Sequence, residues 1–409
     1  MNRKKLIAWY LYDFGMASFT MVVVTAFYVL YFKRVVVGGP RGDLLWGASI
    51  SITMIMVALL SPFLGAVADF AGRKRFFLVA FAGTSIASTA ALSLVGPGMV
   101  LPGMLLFITG YLGYTGAMPF YNGIMTDIAP RESWPRVSGI GWGLGYIGGL
   151  TALLMIKPFA RDALLPEGVG NARIILLATA AFYLAFALPA FILLGDIKKG
   201  DSGSSSYSDY LRAGFSRLSE TFRTARGNRD LWIFLLSFFL FNDAITTVIT
   251  FFSVYATDTL GFSMTENIYL LITVQVTAAI GAFLSGPLAR RMGLIRTISA
   301  TLLVWIAAVM GAFFAQSKGH FWIVSVAAGT VLGATQASAR TLVAELAPGE
   351  KRSEIFGFMA VCGKLAAVVG PLVFGIISSM GGGQRWAILS VEIFFVAGLV
   401  LLLRVRSRA

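Results

Sequence analysis

The chain has 409 residues, 57% of them hydrophobic and only 13% charged, with a mean hydropathy of +0.80. Soluble domains carry roughly 25% charged residues, so this composition excludes a soluble enzyme or a soluble nucleic-acid binder. The net charge of +14 falls in short loops between apolar runs, where it reads as a topology signal and as contact with anionic lipid head groups.

A transmembrane helix needs roughly 20 mostly apolar residues to cross ~30 Å of hydrocarbon. Twelve such runs follow one another, at about 6–32, 44–69, 75–96, 99–126, 134–156, 173–195, 231–257, 266–290, 295–316, 320–346, 353–379 and 384–404. Turn-forming clusters mark the gaps, among them Gly38-Gly-Pro40, Gly96-Pro-Gly98, Ala129-Pro130 and Gly381-Gly-Gly383. The apolar run after Met1-Asn-Arg-Lys-Lys5 is longer than a signal-peptide core and is read as the first span. The ~10-residue alternation of a membrane β-barrel is not seen. The expected fold is all-α, with twelve transmembrane helices.

Lys and Arg set the expected orientation. With both termini in the cytoplasm, 23 basic residues lie in inside segments and 8 in outside segments, as the positive-inside rule requires. The protein is expected in the plasma (inner) membrane if prokaryotic. Three regions follow: a six-helix bundle over 1–195, a cytoplasmic linker over 196–230 and a second bundle over 231–409. The linker opens with Lys198-Lys-Gly-Asp-Ser-Gly-Ser-Ser-Ser206, a flexible polar stretch. It continues as Tyr210–Phe222, where apolar residues at helical spacing alternate with basic ones, the pattern of an amphipathic helix at the membrane surface.

The two bundles carry matching marks. Gly65-Ala-Val-Ala-Asp69-Phe-Ala-Gly72-Arg73-Lys74 follows the second run, and Gly286-Pro-Leu-Ala-Arg290-Arg291-Met-Gly293 follows the eighth with the same spacing. Asp127-Ile-Ala-Pro130 matches Glu345-Leu-Ala-Pro348 at an offset of 218. At that offset Gly139 meets Gly357, Gly145 meets Gly363 and Tyr146 meets Lys364. Near the start of each bundle, Leu11-Tyr12-Asp13 parallels Phe241-Asn242-Asp243. Both copies run the same way through the membrane, so these are parallel repeats, as in the two halves of a major facilitator transporter.

On these residues the chain resembles the major facilitator superfamily, whose signature between helices 2 and 3 is similar to Gly65–Arg75. It also resembles a narrower group, the vacuole-effluxer-like permeases of fungi and bacteria. That likeness rests on Trp9-Tyr-Leu-Tyr-Asp-Phe14, Phe120-Tyr-Asn122 with Asp127–Pro130 and Arg136–Gly149, Leu240-Phe-Asn-Asp243 and Gly333–Arg340. The resemblance runs from about Leu6 to Gly375 and implies a secondary carrier; the fungal branch is associated with amino-acid release from the vacuole. The fourth span lacks the arginine of many proton-coupled antiporters, which argues against drug/proton antiport.

Ionised side chains at the bilayer centre cost about 2.5–3.5 kcal/mol on insertion scales, so they are rare and face a cavity or a partner. Asp13 lies in the first run, Asp243 in the seventh beside Asn242, Arg340 in the tenth one turn after Gln336, and Lys364 in the eleventh. Arg340 suits a carboxylate held bidentately. Asp13 or Asp243 suits an ammonium or a coupling proton. Gln275, Tyr12, Tyr121, Asn122, Trp142 and Tyr146 are candidate cavity walls. The competing role for the charged set is interhelical ion pairing, and Glu392 on the twelfth run is read as structural. Gly65, Asp69, Gly72, Arg73, Lys74, Asp127 and Glu345 are gate candidates, with Asp69 placed to cap a neighbouring helix. The glycines at 139, 141, 143, 145, 148 and 149 leave the fifth run small enough for close helix approach, and Gly370-Pro371 with Gly375 allows the eleventh to bend.

With one cysteine, Cys362, and one histidine, His320, the chain offers no disulfide, metal cluster or cofactor box. It has no Walker-type loop, so ATP is not expected to drive it. The function expected is secondary transport by alternating access of a small amphipathic solute, an amino acid or related compound, with protons as a candidate coupling ion and membrane lipids as surroundings. A monomer with no nucleic-acid partner is expected. The alternatives are a lipid or lysolipid transporter of the same fold and a non-transporting sensor. A membrane enzyme using Asp13, Asp243 and Lys364 is disfavoured because no nucleophile–His pair accompanies them.

Overall fold

A computed structural model describes residues 3–70, 74–130, 133–160, 162–164, 168–195, 219–220, 222–347 and 352–406. Twelve helical spans are long and apolar enough to cross a bilayer, and the described residues contain no β-strand. Helices suit hydrocarbon because they satisfy every backbone polar group within the segment. The protein is a multi-pass integral membrane protein.

The first span, Arg3–Val37, is an α-helix over Arg3–Ser18 that loosens into a π-helical stretch at Phe19–Ala26. Gly38 ends it with φ 62°, a left-handed turn that a side chain would disfavour. The second to sixth spans are built on Gly42–Phe70, Lys74–Ala91, Val100–Ile128, Trp134–Ala160 and Val169–Leu193. The seventh to tenth are built on Arg229–Val254, Met264–Met292, Leu294–Phe314 and Lys318–Leu346. The eighth opens with a reciprocal cap between Ser263 and Glu266, and Glu266 also takes the Lys318 ammonium at 2.7 Å.

The eleventh span is broken into Arg352–Ala366 and Val369–Ile377. Pro371 has no N–H to give the carbonyl four residues back, and its ring crowds that carbonyl. The chain tightens instead, with Ala367 N–H donating to Lys364 O and Val368 N–H to Leu365 O, both at 3.2 Å. The twelfth is also in two pieces, Gly383–Ser390 and Glu392–Leu402.

The chain divides into two compact units: Met1–Gly42 with Met56–Ser216, and Asp43–Ile55 with Arg217–Ala409. In the first unit, the first helix packs on the fifth and sixth spans and the third packs on the fourth. A Cβ on Gly148 would overlap the Phe14 carbonyl, and one on Gly141 would stand 2.8 Å from the Trp9 ring. The run of small residues read from the sequence therefore lets the fifth span meet the first backbone to backbone. In the second unit, the eighth and tenth spans touch in the same way, with Gly281 against the Thr330 carbonyl and Gly333 against that of Ala278.

Residues 43–55 of the second helix pack with the second unit, although the sequence reading placed the whole helix in the first bundle. Two glycines make this possible: Gly47 sits against the Pro371 carbonyl and Gly375 against the backbone of Asp43. The seam is bonded as well, by Ser51 Oγ–H to Val368 O at 2.6 Å and Ser378 Oγ–H to Asp43 Oδ2 at 2.5 Å. Most of the expected linker, residues 196–218 and 221, lies outside the described residues, and with it most of the helix expected over Tyr210–Phe222. Its end is helical over residues 222–227, and Phe222 packs edge-on against Trp232 and Phe358.

Candidate functional site

Each unit holds a buried carboxylate on its first helix. In the first unit this is Asp13, 8% exposed. A Cβ at Gly145 would stand 3.4 Å from its Oδ1, and one at Gly141 would stand 3.0 Å from its Oδ2, so the two glycines of the fifth span form its cradle. The adjoining wall is aromatic and rigid. Trp9 and Tyr121 stack with centroids 4.4 Å apart and planes 3° from parallel, and Trp9 Nε1–H donates to the Tyr121 carbonyl at 2.9 Å. The buried Tyr121 hydroxyl lies beside Asp13 and interacts with its carboxyl group. A carboxylate and a phenol hydroxyl thus share one spot, and the lone pairs that the carboxylate keeps suit a group that donates several hydrogen bonds, such as an ammonium.

Tyr12 lies beneath this surface. It is fully buried, its ring is tilted against Tyr121, and its hydroxyl pairs with that of Tyr183 at 3.1 Å. Its contacts brace the wall. Asn122 and Tyr146, on the fourth and fifth spans, are exposed.

The second unit presents Asn242 and Asp243. Asn242 Oδ1 accepts from Gln336 Nε2 at 3.2 Å, and its Nδ2 donates to the Gly363 carbonyl at 3.4 Å. Asp243 is completely buried. Its Oδ1 accepts the Gly370 N–H at 3.0 Å, while Oδ2 has no partner. The repeat is therefore visible in space: Gly145 meets Asp13, and Gly363, its counterpart, meets Asn242. Lys364 and Gln275 are half-buried, and Arg340 is exposed one turn along from Gln336.

Among the gate candidates, Lys74 and Asp127 come together. Lys74 Nζ donates to Asp127 Oδ2 at 2.8 Å and to the Gly123 carbonyl at 3.0 Å. Gly65 and Asp69 belong to the second helix, Gly72 and Arg73 lie outside the described residues, and Glu345 is exposed near the end of the tenth span. Sequence reasoning missed Trp9, Tyr183 and the Gly370 amide. Trp9 was legible as part of the Trp9–Phe14 stretch, but the partners of all three depend on how each helix is rotated.

A family model described as vacuole effluxer Atg22 like matches residues 46–409. The chain belongs to the Atg22-like vacuole effluxer family. It is 30% identical to an uncharacterised MFS-type transporter, YxiO, of Bacillus subtilis, over 97% of this chain and 93% of that protein. It is 27% identical to autophagy-related protein 22 of Eremothecium gossypii, over 64% of this chain and 54% of that protein. A solved bacterial homologue of the human lysosomal transporter Spinster shares the fold, with a TM-score of 0.76 over the whole of both chains at 19% identity. The protein is thus a major facilitator transporter, not an enzyme, and moves a small polar or amphipathic solute by alternating access.

Proposed function

We propose that this effluxer-family member carries an amino acid or a closely related zwitterion, coupled to protons, with Asp13 and Tyr121 as the candidate solute residues of the first unit and Asn242, Gln336 and Arg340 as those of the second. The observation behind the reading is the Asp13 cradle: a buried carboxylate against two glycines, next to the buried Tyr121 hydroxyl. That arrangement favours a compact cationic head group. Arg340, on the span that also carries Gln336, has the planar guanidinium fork that suits a carboxylate. Asp243 carries the proton, because it is the completely buried intramembrane carboxyl of the second unit, with one oxygen on the Gly370 amide and the other bare. The family name supports export as the direction, and the loop charges support cytoplasmic termini.

The test is counterflow. Proteoliposomes loaded with an unlabelled amino-acid pool are offered trace labelled amino acids, with Arg340→Ala and Asp13→Asn in parallel. Uptake in the wild type that disappears in both variants supports the reading. No uptake above protein-free vesicles, with protein shown to be folded, removes it and turns attention to lipids and phosphorylated solutes.

A further inference from the structure

The two carboxylates that the repeat pairs are engaged differently, and the difference lies in the spans they face. At the offset of 218, Gly370-Pro371 corresponds to Ala152-Leu153. The fifth span runs unbroken from Trp134 to Ala160. The eleventh has Pro371 and breaks between Ala366 and Val369. Breaking a helix frees the first N–H groups of its second piece. One of them, on Gly370, is taken by Asp243 at 3.0 Å from the seventh span. A Cβ at residue 370 would stand 2.9 Å from Asp243 Oδ1 and would overlap the Thr247 hydroxyl, so only glycine admits this approach.

We propose that Asp243 is the positioning residue that ties proton binding to the bend of the eleventh span. As a carboxylate it clamps the Gly370 amide across the break, and as a neutral carboxyl it releases that clamp. The inference rests on the proton-coupled reading above and gives the proton a place to act. A carboxylate accepts an amide N–H about twice as strongly as a neutral acceptor does, and the positive end of the Val369–Ile377 piece favours the negative charge. Protonation removes both contributions together. The second piece then swings about Ala367–Val368 together with residues 43–55, to which Ser51 and Ser378 bond it. Discontinuous spans are where transporters build ion sites; here the break itself is the element that moves.

Other titratable or charged groups on the elements packed against the seventh span are Arg352, Glu354, Cys362 and Lys364 on the eleventh, Lys318, His320, Arg340 and Glu345 on the tenth, Glu392 on the twelfth, and Tyr255 and Asp258 on the stretch that continues the seventh. Among the described residues, the Gly370 amide is the group that bonds the carboxylate, and no charged side chain acts on it. The pH response at the break is therefore assigned to Asp243, and the Asp243→Asn variant separates it from the responses of the other groups.

The experiment needs no substrate, so it can fail or succeed independently of the amino-acid assignment. Spin labels go on Phe314→Cys at the end of the ninth span and Met380→Cys beyond the moving piece, both exposed, in a Cys362→Ala background. Distances are measured in lipid nanodiscs at pH 5 and pH 8. A change of bend of about 20° over an arm of about 15 Å displaces the tip by about 5 Å. The wild type is expected to show one narrow distance at pH 8 and a second population shifted by about that amount at pH 5. Asp243→Asn, which keeps an acceptor oxygen but no charge, is expected to give the same distribution at both pH values. A wild-type distribution that ignores pH overturns the proposal. So does an Asp243→Asn protein that responds to pH as the wild type does.

Discussion

Asp13 and Gly145 face each other across the first and fifth spans, and the space between them admits one methyl group in ordinary contact. A Cβ at Gly145 would lie 3.4 Å from Asp13 Oδ1, an ordinary contact distance. At Gly141 the same atom would lie 2.8 Å from Trp9 and 3.0 Å from Asp13 Oδ2. Gly145→Ala should therefore keep its transport, whereas Gly141→Ala should lower uptake by about tenfold, the equivalent of about 1.4 kcal/mol. Initial rates of counterflow check this. Equal rates in the two variants would show that the cradle does not shape the site.

Gly148 has a different role. Its Cβ would overlap the Phe14 carbonyl, which is backbone and has little freedom to shift. Overpacking costs about 1–3 kcal/mol even in adaptable cores, so Gly148→Leu should lower the thermal unfolding temperature by several degrees. Gly143→Leu is the control, since nothing lies within 4 Å of a Cβ there. Fluorescence-detected thermal melts in detergent compare them.

Lys74 and Asp127 form an ion pair whose side chains keep 13% and 22% of their exposure. Partly solvated pairs contribute about 0–1 kcal/mol to stability. Asp127→Asn should accordingly leave the melting temperature within a degree or two. If the pair belongs to a gate, transport should fall much further than stability, and the exchange Lys74→Asp with Asp127→Lys should restore part of it. A loss of transport that tracks the loss of stability would place the pair in the scaffold instead.

The Asn242–Gln336 pair predicts a solute effect. Side-chain hydrogen bonds between membrane helices average about 0.6 kcal/mol, so Asn242→Ala should destabilise only slightly. Losing a polar contact to the solute costs more when a buried partner is left unpaired. The expected result is a KM for labelled solute raised by roughly tenfold with a maximal rate near that of the wild type. An unchanged KM would remove Asn242 and Gln336 from the solute site.

The twelve spans were legible because length and apolarity are local properties, and the repeat was legible because its marks survive as residue types at fixed spacing. The bend at Gly370-Pro371 could be read from proline alone. The acceptor for the freed amide could not, because Asp243 lies 127 positions away and only the rotation of the seventh span aims it there. The packing of residues 43–55 with the second unit was hidden for a similar reason. An apolar run states that a helix crosses the membrane, not which neighbour each half of it touches. Tyr12 shows the limit from the other side. Its place next to Asp13 suggested a cavity wall, yet one residue is about 100° of helical turn, and that buries its ring against Tyr121 and aims its hydroxyl at Tyr183.

The central claim is that Asp13 serves the solute and Asp243 serves the proton, and one comparison separates them. Proteoliposomes containing wild type, Asp13→Asn or Asp243→Asn are assayed twice, for counterflow without a gradient and for accumulation driven by an imposed pH gradient. The account predicts that Asp243→Asn exchanges solute as the wild type does but no longer accumulates it, while Asp13→Asn does neither. Gradient-driven accumulation by Asp243→Asn equal to that of the wild type would contradict it.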